Sequence, residues 1–386
     1  MTPRRIRLGM VGGGQGAFIG AVHRIAARLD DRYELVAGAL SADATRAAAS
    51  AAELHIEPDR AYASYAQMAE AEAARADGID VVAIVTPNHL HASVASAFLQ
   101  AGIDVICDKP MTTTLADALA LVRLVRNGGR LFALTHNYSG YPMVRQARAM
   151  VAAGELGPIR VVQAEYAQDW LSTDLEASGQ KQAAWRVDPA QAGAGGALGD
   201  IGSHAEHLAR FIGGLELDEV SADLSRFVPG RRLDDNVHTM LRYSNGARGL
   251  LWASQVAPGN ENALRVRIYG EKGGLAFSQE QPNQLWHTPL GAAPRLITRA
   301  GPAADAAAAH ATRIPAGHPE GYLEGFAQLY RDFAEQIAAR WQQRPPDPQA
   351  LLVPTVHDGA LGVKFIEAVV ASSAADGRWT SARLED

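Results

Sequence analysis

The chain holds one cysteine, Cys107, among 386 residues. An internal disulfide framework is therefore excluded, and the composition fits a reducing compartment. Long apolar runs are also missing: stretches such as Val81–Val85 fall far short of the roughly 20 residues a spanning helix needs, so no membrane association is expected. The start, Met1-Thr2-Pro3-Arg4-Arg5, leads directly into a strand-like run without the apolar segment of a secretion signal, which makes the cytoplasm the expected location. Positive charge is in deficit, with a net charge of -6, and this argues against nucleic acid as a partner. No repeat recurs at solenoid spacing. Lysine is scarcest of all relative to its kin. Of 36 basic residues only Lys109, Lys181, Lys272 and Lys364 are lysine, so each poses the question of why arginine does not stand there.

What the chain does contain is ordinary globular material, 47% hydrophobic and 20% charged, enough for a sizeable core and at a length that suggests two domains. In the first third, short apolar runs (Ile6–Val11, Glu34–Leu40, Asp80–Val85, Asp104–Cys107, Arg130–Thr135) alternate with helical stretches (Ala42–Leu54, Tyr62–Ala74, Leu90–Gln100, Leu115–Arg126). That alternation predicts a doubly wound α/β domain with a parallel sheet over residues 1–138. Beyond Asn137 the pattern changes. Helical runs at Met143–Ala153 and Gly195–Phe211 precede Val220–Val228, Val237–Tyr243, Arg248–Val256, Leu264–Tyr269 and Gly274–Phe277, which alternate apolar with polar residues. Residues 139–386 thus read as an α+β domain with a mainly antiparallel sheet, one face against helices. Residues 291–317, rich in Ala, Gly and Pro, read as a surface loop, followed by helices Pro319–Trp341 and His357–Ala374.

In a doubly wound sheet, ligands gather outside the carboxyl ends of the strands. Three turns fall there. The first, Gly12-Gly13-Gly14-Gln15-Gly16-Ala17-Phe18-Ile19-Gly20, links a strand to a helix and offers small residues and unpaired N–H groups to a dinucleotide pyrophosphate. Gly12 and Gly14 fit the first two places of G-x-G-x-x-G; the third glycine is displaced to Gly20, which suggests a longer turn overhanging the cofactor through Phe18 and Ile19. A glycine-rich loop without a ligand is the plainer alternative. The second strand ends at Leu40-Ser41 with no acid for an adenosine ribose 2′-hydroxyl. Ser41 suits either a hydroxyl or a 2′-phosphate, and Arg46 is either a phosphate contact or a solvated helix residue, so both NAD and NADP are compatible.

The other two turns are Thr86-Pro87-Asn88, leading to His91, and Asp108-Lys109-Pro110. An ammonium at Lys109 can hydrogen-bond a substrate hydroxyl and stabilise an alkoxide, and it exchanges protons as a guanidinium does not; the alternative is a loop lysine paired with Asp108. Later in the chain comes Gly195-Gly196-Ala197-Leu198-Gly199-Asp200-Ile201-Gly202-Ser203-His204. Helical beyond Gly199, it would set Asp200 and His204 four residues apart on one face, a carboxylate beside an imidazole suited to taking a hydroxyl proton. A helix cap at Asp200 with ordinary helix histidines is the competing reading. No further Cys or His motif completes a metal site.

Taken in order, the glycine turn with His23, Thr86-Pro87-Asn88 with His91, Asp108-Lys109-Pro110 and Gly195-Gly196 with Asp200 and His204 resemble the Gfo/Idh/MocA oxidoreductases over nearly the whole chain. Asp108 stands where that family usually has Glu. The resemblance implies Lys109, Asp200 and His204 as catalytic residues, a nicotinamide cofactor, and homodimers or homotetramers packed through the C-terminal sheet. The extended turn and the run Gly179–Arg186 are similar to a subgroup that includes levoglucosan dehydrogenase and inositol or L-glucose dehydrogenases, which oxidises a ring hydroxyl of a cyclic sugar or polyol, usually with NAD.

Trp185 and Arg186, just before the glycine-rich segment, are candidates to line the nicotinamide, Arg186 also to bond substrate hydroxyls. Tyr138 and His318 are further candidates for substrate contact. The expected function is hydride transfer between a neutral sugar, anhydrosugar or cyclitol and NAD(P), since the candidate residues carry little net charge. An NAD-dependent glycosidase or epimerase that oxidises only transiently, and a non-catalytic dinucleotide-binding regulator, are the competing functions.

Overall fold

The computed structural model describes residues 4–384, and not the side chains of Lys181, Gln182 and Ala184. The chain divides into two compact units. The first comprises residues 1–112, 116–140 and 322–360; the second comprises 113–115, 141–321 and 361–386. The sequence boundary at 138/139 lies close to the first long crossing, whereas the return of residues 322–360 to the first unit formed no part of that reading.

In the first unit, β1 (Ile6–Gly12), β2 (Tyr33–Ala39), β3 (Val81–Val85), β4 (Asp104–Cys107) and β5 (Phe132–Leu134) form one sheet in the order β2-β1-β3-β4-β5. All its pairings are parallel. An isolated parallel bridge between Gly38 and Ala61 extends the β2 edge. Every residue of β3 is buried, as expected for a parallel strand covered on both faces. The helix Phe18–Leu29 lays Val22, Ala26 and Ala27 against the sheet. Beside it packs the late helix Tyr322–Trp341, whose Phe326, Tyr330, Phe333 and Ile337 join Ile6, Leu8 and Met10 in one core.

The second unit is built on β6 (Ile159–Ala167), β7 (Leu217–Ser225), β8 (Asn236–Tyr243), β9 (Arg248–Ser254), β10 (Ala263–Gly270), β11 (Gly273–Ser278), β12 (Gln284–Pro289), β13 (Arg295–Thr298) and β14 (Thr380–Ser381). Their order is β13-β12-β11-β10-β6-β9-β8-β7-β14. All neighbours are antiparallel except β6 and β9. Helices Pro142–Ala152 and Ser203–Gly213 cover one face. On the other, side chains point outward from Val161, Met240, Leu250, Tyr269, Trp286 and Leu296, all exposed.

The stretch 291–317 corrects the expectation of a plain loop. Arg295–Thr298 pairs with β12. Ala306–Ala311 is a helix capped by the Asp305 side chain, which accepts from the Ala308 N–H, and it buries Ala307, Ala308 and Ala311. Alanine has the highest helix propensity, so a cap and a surface to pack on are enough to order it.

Candidate active site

The carboxyl ends of β1 and β3 are adjacent at the centre of the parallel sheet, where the connections diverge to opposite sides; ligands of doubly wound sheets bind at that switch point. Gly12 (φ +80°) and Gly13 (φ +72°) carry the chain away from β1 in a conformation that favours glycine. A Cβ on Gly14 would lie 2.7 Å from the Leu40 carbonyl oxygen, and one on Gly20 would lie 2.6 Å from that of Gly13. Gly20 therefore serves the close approach of helix Phe18–Leu29 to the turn, which explains why the last glycine stands late. Ala17, at the helix N-cap, makes no side-chain cap, so N–H groups of the first turn are left for a ligand. Above Gly16 a Cβ would meet nothing within 4 Å. Phe18 is exposed while Ile19 packs on the core.

The neighbouring turns complete this rim. Ser41 accepts from the Asp43 N–H, and Asp43 caps the next helix by accepting from the Arg46 N–H. Arg46 itself is exposed. Thr86, at the end of β3, has a buried Oγ1 without a hydrogen-bond partner among the described residues. An orphaned hydroxyl at the switch point, a glycine cradle and an uncapped helix start fit the polar edges of a dinucleotide. Asn88 opens a short 3₁₀ turn, and His91 is buried with Nδ1 2.8 Å from the Pro110 carbonyl oxygen and Nε2 2.9 Å from that of Thr86. Burial pushes the His91 imidazole down. His91 thus ties the Thr86 turn to the lysine turn.

Lys109 follows β4, half-buried, with its N–H donated to Asp108 Oδ1 at 2.9 Å. Burial alone would raise the Asp108 carboxyl, but the facing His23 imidazole, with Lys109 and His91 nearby, holds it well below the usual carboxylate range. Tyr138 is buried against Tyr322, ring centroids 6.5 Å apart.

In the second unit the glycine-rich segment forms a π turn, Leu198–Gly202, that runs into helix Ser203–Gly213. Such wide turns concentrate at functional sites. Asp200 sits in the π turn and His204 in the first turn of the helix, so the wide turn replaces the regular helix expected from the spacing. The Asp200 carboxylate accepts from Arg186 Nε at 3.2 Å and from Gln255 Nε2 at 2.9 Å. The Arg186 guanidinium lies over Trp185, 4.3 Å from its ring centre, and 6.0 Å from that of Trp170. His204 is buried beside Tyr166, with ring centroids 6.2 Å apart. Tyr166 and Gln168 both donate to Asn262 Oδ1 at 2.7 Å, and Trp170 donates to Gln168. Asp200, His204, Trp185 and Arg186 are thus assembled with Gln255 and Trp170. His318 is exposed in a turn whose carbonyl accepts from Arg299.

Sequence reasoning missed Gln168, Gln255 and Asn262, neutral amides just beyond the ends of β6 and β9 and just before β10, which carry no motif. It also missed Asp234. Its carboxylate accepts from the Gly196 N–H at 2.7 Å and the Leu198 N–H at 2.8 Å, and so clamps the chain just before Asp200. The Asp234 carbonyl occupies the space a Gly196 side chain would need. Among the described residues no group of His, Cys, Asp and Glu could hold a metal ion.

A parallel sheet with a glycine cradle at its switch point, in a chain whose second unit bears a carboxylate on a π turn and an imidazole in the helix that follows, defines a two-domain dinucleotide-dependent oxidoreductase. Residues 6–136 match the NAD-binding Rossmann-fold domain of the oxidoreductase family and residues 144–276 match the Gfo/Idh/MocA C-terminal domain; the chain belongs to the Gfo/Idh/MocA family. An oxidoreductase of known structure from Sinorhizobium meliloti is 53% identical, over 98% of this chain and 99% of that one, with a TM-score of 0.89. An inositol dehydrogenase homologue from Azotobacter vinelandii, solved with NADH and myo-inositol, is 35% identical over 98% of each chain, with a TM-score of 0.90. Levoglucosan dehydrogenase from Pseudarthrobacter phenanthrenivorans is 31% identical over 73% of this chain and 76% of its own length.

Proposed function

We propose that the protein is an NAD-dependent dehydrogenase that oxidises a ring hydroxyl of a neutral cyclic sugar, anhydrosugar or cyclitol. The observation that carries this is the surroundings of Asp200: one carboxylate balanced by Arg186, then the neutral amide Gln255 and the indoles of Trp185 and Trp170. Amides and indoles suit a ligand that presents hydroxyls on an apolar ring, and the charge of Asp200 is itself balanced by Arg186. The myo-inositol and levoglucosan of the two relatives have this chemistry.

The bound dinucleotide supplies a hydride acceptor at its nicotinamide. The glycine turn, Thr86 and the helix start at Phe18 hold its phosphates and ribose, with Ser41 and Arg46 at the adenosine end and Asn88, His91 and Trp185 as further contacts. His204 accepts the hydroxyl proton, Asp200 orients the imidazole, and the Lys109 ammonium hydrogen-bonds the oxygen as charge develops. Arg186 bonds a substrate hydroxyl, and Tyr138 and His318 contribute to the substrate side. The test is a panel of inositols, hexoses and anhydrosugars with NAD⁺ and with NADP⁺, read by the absorbance of reduced nicotinamide. Activity on at least one neutral ring polyol is expected, and no reduced cofactor with any of them would overturn the proposal. Lys109→Arg and His204→Ala should each lower kcat by ~10²–10⁴-fold with the KM for NAD⁺ nearly unchanged; Lys364→Arg should leave kcat as it was. The single cysteine, buried, is consistent with action in a reducing compartment.

We further infer that the protein works as a homodimer or homotetramer through the outer face of the nine-stranded sheet. Met240 and Leu250 pair across β8 and β9, and Trp286 and Leu296 across β12 and β13. Apolar residues spread over one exposed sheet face mark an association surface.

A further inference from the structure

Behind the lysine turn, the first unit contains a buried chain of titratable groups to which the proposed reaction assigns no role. His23, fully buried in helix Phe18–Leu29, has Nδ1 2.8 Å from the hydroxyl of Tyr330, which projects from helix Tyr322–Trp341. Its Nε2 faces Asp108 Oδ1 at 3.9 Å, a contact of charge and dipole rather than a hydrogen bond. That same Oδ1 accepts from Thr135 Oγ1 and from the Lys109 N–H, each at 2.9 Å. The rings of Tyr330 and Phe326 clasp the imidazole, with centroids 5.8 Å and 5.2 Å away.

The direction of the hydrogen bonds follows from the phenol. Burial pushes the Tyr330 hydroxyl up, so it keeps its proton. Donation to His23 Nδ1 gives that proton its partner and places the ring proton on Nε2, toward Asp108, whereas the other tautomer would turn a ring lone pair on the carboxylate. We propose that His23, oriented by Tyr330, is the positioning residue of the lysine turn: its Nε2–H keeps the Asp108 carboxylate as the acceptor that fixes the Lys109 N–H. The inference rests on Lys109 acting as proposed above. The groups facing Asp108 are His23, with Tyr330 behind it, His91 from its own helix, and the flanking Cys107 and Lys109. Against burial, His23 is the largest of the influences that hold Asp108 ionised. A protonated Asp108 would hold Thr135 and Lys109 through a neutral carbonyl oxygen instead of a charged one, and the anchor of the turn would loosen.

The test uses Tyr330→Phe, which removes the orienting hydroxyl and little volume. Because the folded Asp108 carboxyl is depressed, its protonation should not shape the wild-type kcat profile, whose acid limb belongs to His204 as the proposed base. In Tyr330→Phe the imidazole is free to take the other tautomer, and the Asp108 carboxyl, followed by carbon-13 resonance, should titrate about one pH unit or more higher than in the wild type. The KM for NAD⁺ should change less than about threefold, since one hydroxyl far from the ligand's contacts is worth under about 1 kcal/mol to binding. In parallel, nitrogen-15 spectra of the histidines should show His23 protonated at Nε2 in the wild type and shifted toward Nδ1 in the variant. Asp108→Asn should turn over at a reduced rate with the acid limb of the wild type unchanged, and it answers the question if Tyr330→Phe does not fold. An unmoved Asp108 titration with the same His23 tautomer, or full activity in Asp108→Asn, overturns the inference while Lys109→Ala is inactive. Should Lys109→Ala retain activity, the catalytic role of the lysine fails instead.

Discussion

Asp234 shows how a single side chain prepares the ground for another. It holds the backbone just before Asp200 by accepting from the N–H groups of Gly196 and Leu198, and burial pushes its carboxyl up to about 6 despite those donors. A folded value above the unfolded one means that the native state binds this proton more tightly. Stability from this group is therefore full below about pH 4 and declines as pH rises to about 6, by up to ~3 kcal/mol, with no further change above. Denaturant titrations of the wild type and Asp234→Asn between these limits should show the wild type losing ground to the variant as pH rises; a constant difference would sink the assignment. Nothing in Leu233-Asp234-Asp235-Asn236 signals this role, because an acid before a strand is ordinary and its partners lie 36 and 38 residues away. Lys109 drew attention in the sequence for the opposite reason: it stands at a strand end flanked by turn residues, where local chemistry and position coincide.

Among the elements, the glycine turn was readable as a ligand cradle, yet the job of Gly20 was not. Its place opposite Gly13 depends on how helix Phe18–Leu29 lies on the turn. Gly20→Ala should force the helix off the turn, cost ~1–3 kcal/mol of stability and weaken NAD⁺ binding by roughly tenfold or more; calorimetric titration reads this directly, and unchanged affinity would refute it. The π turn was likewise hidden, since the spacing of Asp200 and His204 is the same in a regular helix. β6 was missed because Ile159–Val162 carries apolar and basic residues without clean alternation, and it becomes a central strand only between β10 and β9. The alanine-rich helix Ala306–Ala311 was taken for loop because Gly and Pro surround it; its order comes from Asp305 and from packing on helix Pro142–Ala152.

At the scale of the whole molecule, helix Tyr322–Trp341 returns to the first unit and closes its core after some 180 residues spent in the second. That return brings Tyr330 to His23, two residues separated by 307 positions. The outer sheet face carries its own prediction. Leu250→Asp, in the middle of the exposed apolar set, should convert the assembly to monomers in sedimentation velocity, because a buried unpaired carboxylate is costly at an interface. A wild-type protein that already sediments as a monomer would remove the proposal.

The sequence by itself determined the alternation of strands and helices, the parallel first sheet, the glycine cradle and the residue types Lys109, Asp200 and His204, because those rest on local periodicity and turn chemistry. Only the tertiary structure decided which neutral amides surround Asp200, which acid clamps its turn, and which tyrosine orients His23. Those depend on contacts across tens to hundreds of residues, where a side chain's role is set by what faces it. The scarcity of lysine pointed to Lys109; the fold supplied the carboxylate and the histidine behind it.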